Sequence, residues 1–439
     1  MAASARLLAA RILLDMETRG PTLAERLAGA DLNALPARER AFLYELVHGV
    51  LRARGSLDAA LSPLLSRSLA RLDPPVRTVL RLGAHQILSL RVPDRAAVSE
   101  SVDLLRATAP RSATRGGAGL VNAVLRRLAR EGAAASADPE RDPRGWLVST
   151  GSLPEWLADR WLGALGPEVA VARARSFRQQ RRRCDLRLNE RRHPEAARGA
   201  RAELALEPLT VPAGFATSDN AGAARLAERG IVFIQDQGSQ IVAAVSAQGS
   251  RILDLCAAPG AKTTAMSDAL IGRGEDRGAI IALEASTRRV ATLARLVRLW
   301  GGENIHCVQA DGRHPPLCGG FDSVLVDAPC SGLGTLGRNP DLRWRVTPED
   351  LPRHALLQRE LLEAAAAQVA RGGLLVYSTC SLEREENEDI VEAFLAQHDA
   401  FVPGPVPAWA DTFRDGRYLR VLPEEHGGDG FFVAVMRRP

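Results

Sequence analysis

The sequence predicts an α/β protein: a mainly parallel sheet covered by helices, preceded by an all-α domain and a small α+β connector domain. Two observations carry this. Residues 1–130 hold five stretches with apolar residues at i, i+3, i+4 spacing and no strand pattern between them, the signature of packed amphipathic helices. From about residue 236, short apolar runs alternate with helical patterns at βαβ spacing, which requires a parallel sheet with helices on both faces.

The elements follow in order. Helices are expected over 5–19, 38–54, 75–90, 97–108 and 120–131, with breaks at Gly20-Pro21, Gly55 and Pro93-Asp94, residues that end helices. These form a domain over 1–135. Residues 132–150, rich in Ala, Asp, Pro and Arg, read as a linker, and the linker and connector together occupy 136–235. The connector opens a helix at Leu153-Pro154-Glu155, adds strands over 185–188 and 231–234, and places a helix over 194–204. Residues 236–439 form the last domain. Its strands are 251–255, 279–283, 305–309, 323–326 and 374–377, and its helices 262–270, 287–300, 352–370 and 385–397. Segments 418–422 and 430–436 close it as an antiparallel pair.

Composition narrows the function classes. The 439 residues are 46% apolar and 25% charged, enough for sizeable cores and unlike a disordered chain. No apolar run reaches the 18 or more residues of a membrane span, and no secretory leader pattern opens the chain, so a cytoplasmic protein is expected. Six cysteines show no Cys-x-x-Cys pair and no zinc spacing, so neither a metal nor a disulfide framework is expected. The formal charge of +5 is compatible with a nucleic-acid partner.

Two cysteines follow apolar strands: Cys330 in Asp327-Ala328-Pro329-Cys330-Ser331-Gly332 and Cys380 in Ser378-Thr379-Cys380-Ser381. Ligands bind beyond the carboxyl ends of strands in open α/β sheets, so both thiols should meet in one crevice. A thiolate is a strong nucleophile near neutral pH, and the pair suggests covalent chemistry. Each could instead be a small buried apolar side chain.

The segment Asp254-Leu255-Cys256-Ala257-Ala258-Pro259-Gly260-Ala261-Lys262 is a strand, a tight turn of small residues and a helix start. It lets a ligand approach the backbone and the free N–H groups of a helix N-terminus. It lacks the dinucleotide and P-loop glycine fingerprints, which disfavours a dinucleotide-dependent oxidoreductase. Glu284, Asp311 and Asp327 end successive strands and together favour an adenosine-type ligand. Lys262 is the only lysine of the chain, so a compact ammonium is retained where arginine is used everywhere else.

Taken together, these motifs resemble the S-adenosylmethionine-dependent RNA cytosine-5 methyltransferases. The match continues through Gly334-Thr335-Leu336-Gly337-Arg338-Asn339-Pro340-Asp341, Trp344, Glu385-Glu386-Asn387-Glu388 and Asp429-Gly430-Phe431-Phe432. In the helical part, Arg40-Ala41-Phe42-Leu43-Tyr44-Glu45-Leu46-Val47-His48-Gly49 and Leu82-Gly83-Ala84-His85-Gln86 are similar to the NusB-type RNA-binding fold. The resemblance implies a Rossmann-like methyltransferase domain behind a NusB-like one, S-adenosyl-L-methionine as cofactor, and C5 methylation in 16S rRNA, at cytosine 967. It implies that free or early-assembly rRNA is the partner of a monomer, with no membrane and no metal.

The resemblance assigns the nucleophile to Cys380 and the release step to Cys330, which the residues alone cannot order. It gives Asp327 a role at the base ring and places the cofactor against Cys256, Ala257, Ala258, Pro259, Gly260, Ala261, Lys262, Glu284, Asp311 and Asp327. Glu284 stands where the family usually has aspartate, and Ala261 where it usually has glycine. Lys262 can hydrogen-bond Asp327 or the cytosine carbonyl and favour a nearby thiolate. The arginines Arg178, Arg181, Arg182, Arg183, Arg187, Arg191 and Arg192 could track phosphates or form a solvated face, and Arg338, Arg343 and Arg345 are expected to meet RNA near the target. The alternatives are the same chemistry on transfer RNA or another rRNA position, and an inactive RNA-binding or assembly factor.

Overall fold

A computed structural model describes residues 4–17, 20, 22–30, 32, 35–133, 137–179, 183–274 and 278–439. The chain divides into two compact units, Met1–Gln179 with Leu336–Val346, and Gln180–Thr335 with Thr347–Pro439.

The first unit is helical: α1 (Ala5–Asp15), α2 (Leu23–Gly29), α3 (Ala37–Leu61), α4 (Pro74–Leu88), α5 (Asp94–Thr108), α6 (Arg111–Glu131), α7 (Pro143–Val148) and α8 (Glu155–Arg178). Helix α4 is buried without a break from Thr78 to Gln86, which marks it as the central helix of the core. Three features depart from the expectation. The break at Gly55 does not occur. A Cβ at Gly55 would meet the Val148 carbonyl oxygen at 2.2 Å, so this glycine lets another segment approach α3 and does not end it. The stretch 132–150 is not wholly a linker, because α7 lies in it, capped by Asp142 and burying Trp146 and Leu147. Helix α2 was not expected, although Thr22 and Glu25 carry the capping-box spacing and form that box.

The second unit holds two sheets. Strands β1 (Cys184–Leu188), β2 (Glu207–Pro208), β3 (Gly214–Thr217) and β4 (Val232–Ile234) form a small sheet in the order β2-β3-β1-β4, antiparallel throughout. Helices α9 (Pro194–Glu203) and α10 (Asn220–Glu228) pack on it through Ala197, Ala200 and Leu226. The segment 136–235, expected as one stretch, is therefore shared: α7 and α8 belong to the first unit and this sheet to the second.

The large sheet contains β5 (Arg251–Asp254), β6 (Ala279–Glu284), β7 (Ile305–Gln309), β8 (Phe321–Asp327) and β9 (Val369–Thr379). These five run parallel in the order β7-β6-β5-β8-β9, a Rossmann-like arrangement. Antiparallel strands β10 (Val402–Pro403), β11 (Arg414–Asp415), β12 (Tyr418–Val421) and β13 (Phe431–Arg437) extend it beyond β9, with β13 paired to β9. Side chains alternate between faces. Ile252, Leu325 and Val376 join the core with α11 (Gln237–Ser246), α12 (Ala261–Gly272) and α13 (Thr287–Trp300). Leu253, Val326 and Leu375 join the opposite core with the helices Asp350–Ala366 and Glu388–Gln397. Strand order reverses on either side of β5, so the loops after β5, β6, β7, β8 and β9 open at one edge.

Candidate active site

Strands β8 and β9 pair in register with Asp327 opposite Ser378, so the loops that follow leave the sheet side by side. They bring the Cys330 and Cys380 sulfurs to 3.1 Å. The residue after each cysteine is a serine, and the two hydroxyls lie 3.2 Å apart, with Ser381 donating to Ser331, whose own proton goes to Glu386. The Glu386 carboxylate, fully buried, accepts from the Ser331 N–H at 2.8 Å, the Ser331 hydroxyl at 2.5 Å and the Gln358 amide at 3.1 Å. Asn387 accepts from Thr379 Oγ1 at 2.6 Å and donates to the Ser381 carbonyl at 3.0 Å. The loop N–H of Gly334 donates to the Cys380 carbonyl at 2.9 Å; a Cβ there would lie 2.7 Å from that oxygen, so only glycine permits the contact. The gap between the sulfurs is thus set by a network behind them.

The hydrogen bond to Cys380, then burial and the nearby Glu386 charge, push the Cys330 thiol well above the ordinary cysteine range. Cys330 therefore keeps its proton near neutral pH. Glu386 and Asn387 brace the two cysteine loops, a part not expected of them from the sequence; their signal was the Glu-Glu-Asn-Glu run that starts six residues after the end of β9.

Lys262, in the first turn of α12, donates from Nζ to Asp327 Oδ2 at 2.7 Å, and Ser378 donates to the other Asp327 oxygen at 2.9 Å. The ammonium also lies 5.2 Å from the centre of the Phe431 ring, a cation–π distance. Asp327, one of the partners expected for Lys262, receives its hydrogen bond. The pair couples the β5 edge to the β8 edge, next to the cysteines.

The turn after β5 has Ala257 and Ala258 buried and Pro259 exposed. Gly260 sits at φ +109°, and a Cβ there would meet Leu293 Cδ1 at 2.8 Å, so glycine is required twice over. No side chain caps α12, and its first N–H groups, at Ala261 and Lys262, are available to a ligand. Below the turn Asp254 is fully buried; one oxygen accepts from Thr263 at 2.7 Å and the other has no partner. Burial raises its pKa to about 7. Glu284 ends β6, accepts from the Ser286 N–H at 3.0 Å and lies 3.4 Å from Arg289, which itself donates to the Ala258 carbonyl at 2.7 Å. Burial and the surrounding carboxylates push the Cys256 thiol upward, so Cys256 is a packing residue of the turn. Asp311 is half-buried at the β7 edge, held by Arg313 at 2.7 Å, whose bonds lower its pKa to about 2. A small-residue cradle, uncapped helix N–H groups, an unpaired buried carboxyl oxygen and an acceptor at the end of the next strand fit a nucleoside with a polar tail. Among the described residues no cluster of His, Cys, Asp and Glu suits a metal, and no helix is long and apolar enough to cross a membrane.

The arginines largely depart from the expectation. Arg343 does not face RNA: it is fully buried in the first unit, and its guanidinium donates to the carbonyls of Arg52, Gly151, Ser152, Phe177 and Leu336. Burial lowers its pKa to about 9. Arg187 is buried too, donating to Gln235, Asp268, Thr264 and the Ala261 carbonyl, so it braces α12 and does not track phosphates. Arg178 donates to the Thr150 carbonyl, and Arg192 to the Arg298 carbonyl. Arg183 lies 3.5 Å from Asp185 and Arg191 4.0 Å from Glu303. Arg345 donates to the Gly20 carbonyl at 2.6 Å, while Arg338 is exposed. Arg181 and Arg182 lie outside the described residues.

A doubly wound sheet with this crevice at its switch point defines the class: a Rossmann-like methyltransferase that uses S-adenosyl-L-methionine. Residues 242–437 match the family described as 16S rRNA methyltransferase RsmB/F, and residues 3–130 match the NusB family. The chain is 35% identical to the ribosomal RNA small subunit methyltransferase B of Thermus thermophilus, covering 100% of this chain and 98% of that one. It is 34% identical to the protein of that name in Sodalis glossinidius, covering 98% and 97%. Among solved structures it resembles PH0851, with a TM-score of 0.77 at 25% identity over 100% of this chain and 99% of the other. The chain belongs to the RsmB/F family of rRNA methyltransferases.

Proposed function

We propose that this enzyme methylates C5 of a cytosine in 16S rRNA, at position 967, through a covalent bond between Cys380 and cytosine C6. The observation that carries this reading is the pair of sulfurs 3.1 Å apart, one of which holds its proton.

Cytosine C5 is a weak nucleophile. Addition of the Cys380 thiolate at C6 moves the ring electrons toward C5. Bound S-adenosylmethionine supplies the methyl group as an electrophile on sulfonium. The Cys330 S–H donates to the Cys380 sulfur and stabilises its thiolate before attack. After methyl transfer the C5 proton passes to a base, the C5–C6 double bond re-forms, and the C6–S bond breaks. The departing sulfur again receives a hydrogen bond from Cys330, which is the release role. Asp327, fixed by Lys262 and Ser378, is held at the end of β8 to orient the base at N3. Lys262 places positive charge beside the site where the thiolate forms. The turn from Cys256 to Lys262, with Glu284, Asp311 and Asp327, holds the cofactor.

The target must be unstacked, because C5 and C6 are shielded within a helix. The helical domain over 1–135 serves RNA binding, and the enzyme works as a cytoplasmic monomer on free or early-assembly rRNA. Bisulfite sequencing of rRNA from a deletion strain tests the reading. One 5-methylcytosine in 16S rRNA should disappear and return with the intact gene. Retention of every 5-methylcytosine would overturn the assignment.

A further inference from the structure

The loops that carry Cys330 and Cys380 are tied together on both sides of the thiols. Before the cysteines, the Ala328 N–H donates to the Ser378 carbonyl at 2.8 Å; beyond them, the Gly334 N–H donates to the Cys380 carbonyl at 2.9 Å. Between these bonds Ser331 and Ser381 meet at 3.2 Å, and the buried Glu386 holds Ser331. The sulfurs sit inside this frame, 3.1 Å apart, and cannot drift away from each other. Bonded sulfurs lie about 2.05 Å apart, so closing the pair takes a shift of about 1 Å.

The remaining cysteines are scattered: Cys184 on β1, Cys256 in the cofactor turn, Cys307 on β7 and Cys318 in the loop before β8. Cys330 and Cys380 are both half-buried and not sealed, so a small reagent can reach them. The Cys380 sulfur receives the Cys330 hydrogen bond, the arrangement of an attacking thiol with a resolving thiol beside it. The hydrogen bond to Cys380, burial, and charge on Cys380 and Glu386 keep the proton on Cys330.

We propose that Cys330 and Cys380 form a site of reversible oxidation, at which a peroxide closes the pair into a disulfide and switches methylation off. The Cys380 thiolate attacks one peroxide oxygen. The O–O bond breaks, hydroxide leaves and takes up a proton as water, and Cys380 becomes a sulfenic acid. This step turns a charged sulfur into a neutral group and so removes part of what holds the proton on Cys330. The Cys330 sulfur then attacks the Cys380 sulfur. The S–O bond breaks, the S–S bond forms, and the hydroxyl leaves as water with the Cys330 proton. One peroxide is reduced to two waters while two thiols are oxidised to one disulfide. A dithiol reductant reverses the change. The loss of methylation rests on the reading of Cys380 as the nucleophile toward cytosine; the oxidation itself does not.

The test uses full-length protein, reduced, freed of reductant and treated with a few equivalents of hydrogen peroxide. Peptide mass mapping should show the Cys330 and Cys380 peptides cross-linked and about 2 Da lighter than their sum, the loss of two hydrogens. Methylation of a 16S rRNA fragment should fall in step with the cross-linked fraction, and dithiothreitol should restore it. S-adenosylmethionine affinity should be the same in both states; its loss along with activity would trace the inactivation to unfolding and overturn the switch. Cys318→Ser, which removes the exposed thiol, should cross-link as the parent does. Cys330→Ser leaves no resolving thiol, so Cys380 should be captured by dimedone as a sulfenic acid and then pass to a sulfinic acid that dithiothreitol does not reduce. The proposal is overturned if peroxide leaves both thiols free, joins either to another cysteine, or carries Cys380 of the parent to sulfinic acid as fast as in Cys330→Ser. A cross-link that forms and reverses in a protein whose reduced form methylates no rRNA fragment would leave the oxidation site standing and remove the functional reading.

Discussion

Cys330 and Cys380, fifty residues apart in the chain, place their sulfurs 3.1 Å from each other because Ser331 and Ser381 bond directly behind them and Glu386 holds Ser331 from the core. Two thiols this close cannot ionise independently. Cys330, whose thiol is pushed well above the ordinary cysteine range, keeps its proton near neutral pH and can offer it as a hydrogen bond to the Cys380 sulfur.

The cysteine pair separates by mutation. Cys380→Ala should abolish both methyl transfer and covalent capture of RNA. Cys330→Ala should accumulate an RNA–protein adduct that survives denaturing electrophoresis. Capture lost in Cys330→Ala and RNA trapped in Cys380→Ala would reverse the two roles.

Lys262 donates at 2.7 Å to an aspartate in a pocket that leaves its side chain 13% exposed. A guanidinium is wider and planar and cannot occupy the space of an ammonium without moving Asp327. Lys262→Arg should lower single-turnover methylation by about 10-fold or more, a loss of about 1.4 kcal/mol in transition-state binding, with cofactor affinity unchanged. Full turnover would show that any cation suffices.

Glu284 supplies an acceptor at the end of β6, next to the turn expected to hold the cofactor. Glu284→Ala should weaken S-adenosylmethionine binding by about 10- to 100-fold in calorimetry, the range for one hydrogen bond to a charged group. Glu284→Asp should recover part of it, since the shorter side chain keeps the acceptor. Equal affinity in all three proteins would remove Glu284 from the cofactor site.

His85 lies in the core of the first unit, 3% exposed, where a Cβ on Gly49 would touch its ring. Burial lowers its pKa to about 4. The unfolded chain binds this proton more tightly than the folded one. The neutral ring therefore costs no stability above pH 6.5, and stability is lost as pH falls from 6.5 toward 4, by up to about 3 kcal/mol. The melting temperature should fall over that window, and His85→Gln should flatten the fall. An unchanged pH dependence in His85→Gln would place the acid sensitivity elsewhere.

Much of this was legible in the chain. The parallel strands announce themselves as short apolar runs, since a strand buried on both faces has no polar alternation to hide it. The small-residue turn and both cysteine loops are contiguous, so their chemistry survives reading one residue at a time. Gly55 shows the limit: a glycine that ends a helix and one that admits a neighbour look the same in sequence.

What the chain alone determined is the inventory: the alternation of strands and helices, a cofactor turn, two thiols at strand ends and one lysine. Tertiary structure decided the rest, because partnership depends on what a side chain meets after folding. Lys262 found Asp327 across 65 residues, and Glu386 became the brace of both cysteine loops. Arg187 and Arg343, charged and surface-like in sequence, went into the interior because carboxylate, amide and carbonyl oxygens there satisfy their guanidinium groups and offset the cost of leaving water.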